Sequence, residues 1–215
     1  MRAREVADEL EARLRAIGTS KRAIGEKAYL KSDLDFTGTL VSQTHFEVKR
    51  LAAEIPLDRS TLLDLVGELW SKPVFERRLA AIMFLQRFPR VLSVADLPLL
   101  ERLARESRTW ALLDYLAVDV LGRLVESDPA GASPTMDRWS GDDDFWVRRA
   151  SLLAELRPIR RGANPDRFLA RATSMLDERE FFIRKAIAGC CEKPGSAGPP
   201  SWPPGSVHGR IGSAA

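Results

Sequence analysis

The chain has 215 residues, 45% hydrophobic and 29% charged, with a formal net charge of +3, which suits one globular domain with a continuous core. No stretch is long and apolar enough for an ordinary helical membrane span, and the adjacent cysteines Cys190 and Cys191 cannot join distant segments. The N-terminus, MRAREVADELEARLRA, reads as an amphipathic helix of mixed charge rather than a secretion signal, so a reducing cytoplasm is the expected compartment.

Taken in chain order, apolar residues recur at spacings of three and four over 59–70 (Leu62, Leu63, Leu65, Val66, Leu69) and 74–87 (Leu79, Ala80, Ile82, Met83, Leu85). The same period runs through 95–106, 109–126, 143–156, 164–175 and 178–190, which predicts a helix in each. Turn chemistry separates them at Ser71-Lys72-Pro73, Phe88-Pro89, Asp128-Pro129, Ser140-Gly141-Asp142 and Asn164-Pro165. The fold class is all-α.

An internal repeat organises these helices. ERRLAAIMFL (76–85), LLDYLAVDVL (112–121), VRRASLLAEL (147–156) and IRKAIAGCC (183–191) align so that Arg78, Asp114, Arg149 and Lys185 share one position, at intervals of 36, 35 and 36 residues. Each segment follows another helix, giving pairs over 59–87, 95–126, 130–156 and 164–190. Pairs at this period bury their apolar faces only against neighbours, which predicts a right-handed α-solenoid of HEAT-like helix pairs spanning 1–191. The second helices are expected to line its concave side. Basic doublets such as Arg77-Arg78, Arg148-Arg149 and Arg184-Lys185 recur at the same period. A solvated helix face is the ordinary reading of each, but the regular spacing also suits a surface that tracks a phosphate backbone.

From Glu192 onward the composition changes: five of the 13 prolines fall in the last 24 residues and the apolar period is lost. That segment is expected to be disordered.

Conventional catalytic sets are missing. The two histidines, His45 and His208, are far apart in the chain and build no metal cluster, and there is no Gly-rich phosphate loop or nucleophile elbow. Neither metal nor cofactor is expected. Carboxylates, arginines and aromatic rings are what remain. Trp110 and Asp114 stand four apart and share one helix face, as do Trp146 and Arg149 three apart. Asp114 is a lone acid in an otherwise basic row, which fits either an ion pair between repeats or a functional carboxylate. Arg149 correspondingly binds phosphate or bridges to Asp114.

These residues carry a family resemblance. W-x-x-x-D followed by VLG (Trp110, Asp114, Val120–Gly122), FWVRRA (145–150) and EFFIRKAI (180–187) resemble the AlkD-like DNA alkylation repair glycosylases. KAYLKSDLDFTG (27–38) is similar to that family's N-terminal YxK…FxG segment. The likeness implies a DNA glycosylase that hydrolyses the N-glycosidic bond of positively charged N3- or N7-alkylated purines in double-stranded DNA, acting as a monomer. It implies Asp114 as the catalytic carboxylate, Trp110 as an aromatic wall, Arg149 as the arginine assisting at the carboxylate or phosphate, and Tyr29 as a lesion-side tyrosine. Trp146, Arg148, Arg78 and Lys185 fall to the lesion- and DNA-binding surface. Replacing Asp114 is expected to lower base release and leave the melting temperature nearly unchanged. The alternative is a non-catalytic HEAT-like module that binds DNA or a protein partner.

The family carries a tryptophan where this chain has Gly189. Back-translation with GC-rich codons, restoring one G after Ile187, turns Ala188–Pro194 into a helical G-W-L-L-R-E-A. The segment from Ala188 is therefore expected to be a frameshifted reading of the family's C-terminus, which sequencing of codons 186–195 decides.

Overall fold

The computed structural model describes residues 2–189; the proline-rich tail and nearly all of the segment expected to be frameshifted lie outside them. Among the described residues every regular element is a helix, and one isolated bridge, Asp35 with Val74, is the only extended pairing. The helices are α1 (Ala3–Ile17), α2 (Ser20–Leu30), α3 (Val41–Glu54), α4 (Arg59–Ser71), α5 (Phe75–Arg87) and α6 (Leu97–Ser107). Then come α7 (Trp110–Tyr115, a π-helical stretch Leu116–Leu121, and Gly122–Ser127), α8 (Pro129–Ser140), α9 (Phe145–Arg160), α10 (Asp166–Thr173) and α11 (Phe181–Gly189).

Local chemistry sets the starts. The Asp58 carboxylate accepts from the Thr61 N–H at 2.8 Å, Asp128 from Gly131 at 2.8 Å and Asp144 from Trp146 at 2.9 Å. Each satisfies a donor that the first turn leaves unpaired, an effect of about 1 kcal/mol per cap. Pro129 opens α8, where its missing N–H costs nothing.

The second helices of the pairs form one layer, in which α3 packs on α5, α5 on α7, α7 on α9 and α9 on α11. The first helices lie against them, with α4 on α5, α6 on α7, α8 on α9 and α10 on α9. This is the stacking of an α-solenoid, in which each pair is completed by its neighbours. Helix α9 shows the result: Val147, Ala150, Leu152, Leu153, Ala154 and Leu156 are all buried, because α7, α8 and α11 surround it. Truncating Leu112 or Leu152 to alanine would cost about 2–5 kcal/mol.

Ion pairs lock the layers. Arg77 is wholly buried and donates to Asp8 at 3.0 Å, to Glu11 at 2.7 Å and to the Glu68 carbonyl at 2.7 Å, tying α5 to α1 and α4. Between later repeats Arg105 donates to Asp142 at 2.8 Å, while Glu101 accepts from Arg138 at 2.7 Å and from the Trp139 indole at 2.8 Å. No helix of the described residues is long and apolar enough to cross a membrane.

Candidate functional site

Helix α6 ends at Arg108 in the left-handed region (φ 47°), and the chain turns so that Trp110 is the first residue of α7. The Thr109 hydroxyl caps that start by accepting from the Ala111 N–H at 3.4 Å. Asp114 follows one turn later on the Trp110 face. It meets Arg149 of α9 in a two-point pair, Nε to Oδ1 at 2.9 Å and Nη2 to Oδ2 at 2.7 Å. The third guanidinium nitrogen of Arg149 donates to the Phe182 carbonyl. The Arg149 side chain is 3% exposed and that of Asp114 18%. The lone acid of the row thus forms an ion pair between repeats, and its side chain stays partly exposed. Protein groups engage all three nitrogens of the Arg149 guanidinium, the carboxylate through Nε and Nη2 and the carbonyl through Nη1.

Trp110 stands between two further residues singled out in the sequence. The Tyr29 ring, at the end of α2, meets it edge-on at 6.4 Å with 80° between planes. Lys185 of α11 places its ammonium 6.0 Å from the centre of the Trp110 ring. Tyr29 is 67% exposed and Lys185 is also exposed, whereas Trp110 is half-buried. Four elements, α2, α7, α9 and α11, therefore converge on Trp110 and Asp114.

The other predicted residues stand differently. Trp146 packs in an aromatic cluster, 4.4 Å from Phe145 and 5.2 Å from Phe182 between ring centres, and Arg149 lies over the Phe182 ring at 5.8 Å. The ring beneath the arginine is thus that of Phe182, with Trp146 packed against Phe182. Arg148 donates to the Asp142 carbonyl at 2.6 Å and to Glu178 at 2.7 Å, bracing the next repeat. Arg78 lies over Trp70 at 5.1 Å and donates to the Glu106 carbonyl at 2.6 Å; burial lowers the pKa of its guanidinium. The row, basic but for Asp114, divides: its middle members neutralise each other, Arg78 turns to an aromatic ring and a carbonyl, and Lys185 stays open.

Two features escaped the sequence reading. The π-helical stretch Leu116–Leu121 widens α7 immediately after the site, with the Gly122 N–H bonding back five residues to the Ala117 carbonyl. Within the wide turn Asp119 accepts from Gln86 of α5 at 3.1 Å. Burial pushes the Asp119 carboxyl above its ordinary value, against the pull of Arg123, Arg157 and Arg160. The second feature is the role of KAYLKSDLDFTG. Lys31 caps α2 in the left-handed region (φ 47°), Phe36 stacks on Phe75 at 4.9 Å, and Gly38 adopts φ 78°. A β-carbon on Gly38 would lie 2.1 Å from the Thr19 carbonyl oxygen, so only glycine fits there.

Fold and site together define a HEAT-like repeat protein that holds a carboxylate–guanidinium pair beside a half-buried tryptophan on its second helices. The family model of the DNA alkylation repair enzymes matches residues 10–191, and the chain belongs to that family. A solved structure described as a predicted DNA alkylation repair enzyme from Enterococcus faecalis superimposes with a TM-score of 0.70. The two chains are 21% identical over 80% of this chain and 81% of that one, so this likeness is one of fold. No curated protein matches the chain.

Proposed function

We propose that this protein is a DNA glycosylase that hydrolyses the N-glycosidic bond of cationic N3- or N7-alkylated purines in duplex DNA. The observation that carries the reading is the Asp114 carboxylate, held by Arg149 and still partly exposed, on the same face as Trp110. Membership of the DNA alkylation repair family supports it.

The chemistry needs few groups. An alkylated purine of this kind carries a positive charge, which weakens its bond to the sugar. Trp110 already has the Lys185 ammonium over its face, so that face receives cations, an attraction of about 0.5–2 kcal/mol according to desolvation. As the C1′–N bond breaks, its electron pair leaves with the base, which departs neutral and needs no general acid. The sugar becomes oxocarbenium-like. Asp114 stabilises that charge and orients a water whose oxygen bonds to C1′ and whose proton is released. Arg149 fixes the carboxylate in place, Tyr29 borders Trp110, and Lys185 faces the phosphates.

A second reading has one specific observation behind it: an ion pair between repeats explains Asp114 without any chemistry, as a non-catalytic DNA- or protein-binding module would require. Base release from methylated duplex DNA separates the two. The glycosylase reading expects release by the parent chain and at least an about tenfold loss in Asp114→Asn, equivalent to ~1.4 kcal/mol of barrier. Duplex binding with no release by the parent overturns it in favour of the binding module.

A further inference from the structure

Helix α2 is held by its ends. Of its residues Ser20–Leu30, only Leu30 is buried, and Ile24 and Tyr29 are exposed. Its less exposed side carries the ion pair of Arg22 with Glu26 rather than an apolar stripe. Burial pushes the Glu26 carboxyl up, and the nearby charge of Glu76 pushes it the same way. One buried leucine cannot fix the position of a helix by packing; its anchors must.

Those anchors are on the return segment 31–40. At the start of α2 the backbones of Gly18–Thr19 and Thr37–Gly38 cross in contact: the Thr19 N–H donates to the Gly38 carbonyl at 3.2 Å, and a β-carbon on Gly18 would lie 2.0 Å from the Thr37 carbonyl oxygen. The return segment is in turn fastened to the first turn of α5. Asp35 exchanges hydrogen bonds with the strand-like entry, its N–H to the Pro73 carbonyl and its carbonyl from the Phe75 N–H, both at 2.8 Å. Beside it Phe36 stacks on Phe75. The last fastening is Glu76, 1% exposed, whose carboxylate accepts from the Thr37 N–H at 2.9 Å through Oε2, and from Gly38 at 2.9 Å and Thr39 at 3.4 Å through Oε1. Hydrogen bonds to an ionised acceptor are about twice as strong as neutral ones.

We infer that Glu76 is a positioning residue of the site: by holding Thr37–Thr39 on α5, it sets the height of α2 and thereby keeps the Tyr29 ring against Trp110. The inference rests on the reading of Trp110 and Asp114 as the place where the damaged base is held. Glu76 stands two residues from Arg78 on α5, so the strap is referenced to the same layer of helices that carries Asp114 and Arg149. Glutamine at 76 would turn an amide N–H₂ towards backbone N–H groups, donor against donor. The return segment then shifts and Tyr29 leaves Trp110, while the Asp114–Arg149 pair between α7 and α9 is untouched.

The test compares the parent chain with Glu76→Gln, Glu76→Asp, Tyr29→Ala and the double variant Glu76→Gln/Tyr29→Ala. In single-turnover base release from methylated duplex DNA, Glu76→Gln and Tyr29→Ala should each lose about tenfold. The double variant should lose no more than either alone, the non-additivity of residues acting through one element. Glu76→Asp keeps the charge and should recover part of the loss; it also carries the comparison with Tyr29→Ala if Glu76→Gln does not fold. Multiplying losses in the double variant would overturn the inference. Hydrogen exchange without DNA gives the independent measurement: amides of 20–30 and 37–39 should exchange about tenfold faster in the Glu76 variants, with α7 and α9 unchanged. Faster exchange throughout α4–α9, or none at 20–30, overturns the inference too. If the parent releases no base, the glycosylase reading fails, and the exchange at 20–30 still decides what holds the strap.

Discussion

Asp114 and Arg149 occupy equivalent positions in successive repeats, 35 residues apart, and meet through parallel hydrogen bonds of 2.9 and 2.7 Å. Stacked repeats set like position beside like position. One change of sign in a basic row therefore converts repulsion between neighbours into a latch. The nearly buried Arg149 depends on that carboxylate for its main partner, which binds the fate of the site to the packing of α7 on α9.

Asp114→Asn is expected to lower base release at least about tenfold, and it also disturbs the latch. Asparagine keeps one acceptor and loses the charge, leaving Arg149 undercompensated, a cost of about 1–3 kcal/mol. The melting temperature should drop by several degrees rather than stay nearly unchanged, as the sequence led one to expect. Thermal denaturation beside single-turnover release checks both effects. Full release with a lowered melting temperature would make Asp114 a latch and nothing more.

Salt dependence distinguishes the members of the basic row. Each phosphate contact adds about 0.9 to the slope of log affinity against log salt for duplex DNA. Lys185→Ala, which removes an exposed ammonium, should reduce the slope by roughly one. Arg149→Ala should leave the slope nearly unchanged and destabilise the fold, because its nitrogens serve Asp114 and the Phe182 carbonyl. Fluorescence anisotropy titrations over a range of salt provide the slopes. An equal reduction by both variants would show Arg149 to be free in solution.

Periodicity made the helix pairs and the shared position of Arg78, Asp114, Arg149 and Lys185 legible, since both follow from spacing along the chain. It also put Trp110 and Asp114 on one face, a local relation. What it left open was choice of partner. Arg148 and Arg149 are adjacent on one helix, and only three-dimensional packing gives the first to Glu178 and the second to Asp114. Glu76 was invisible because its partners are backbone N–H groups 37–39 residues away, which no side-chain pattern encodes. Asp119 was missed because its burial and its partner Gln86, 33 residues away, come from the packing of α5 on α7, which leaves no mark in the spacing.

Acid should weaken the stack at Glu101. Arg138, with Arg105 and the Trp139 indole assisting, pushes its carboxyl from an ordinary 4.5 down to about 2, against a smaller contribution from burial. The folded state thus binds the proton later than the unfolded chain does. The stabilisation is complete above about pH 4.5 and is lost as pH falls towards 2. Glu101→Gln should cost about 1–2 kcal/mol at pH 6, discounted for the exposed position of Arg138, and show a shallower further loss on acidification. Urea denaturation at pH 6 and pH 3 measures both; equal acid sensitivity in parent and variant would assign the acid response elsewhere.

Asp119 should behave in the opposite sense. Its carboxyl is raised by burial, so the charged form is a burden above the folded pKa that disappears as pH falls. Asp119→Asn, which retains an acceptor for Gln86, should be more stable than the parent at pH 7 and equal to it near pH 4. By removing a negative charge close to Arg123, Arg157 and Arg160, it should also tighten duplex binding about two- to fivefold at moderate salt. Weaker binding would show instead that Asp119 organises those arginines.

The wide turn in α7 also divides one helix into two that keep separate phase. Ahead of it, Trp110 and Asp114 are aimed by the cap at Thr109. Beyond it, Gly122 is aimed at α9 so closely that a β-carbon there would stand 3.0 Å from that of Arg157 and 3.3 Å from the Ala154 carbonyl oxygen. A regular helix would couple the two aims rigidly, and any change that improved the packing end would swing the site end with it. The inserted turn gives the two halves an angular offset that a regular helix of the same length would not have. Deleting a single residue from Leu116–Leu121 would remove that offset and rotate the site half against the packing half, so the length of this stretch matters as well as its buried side chains.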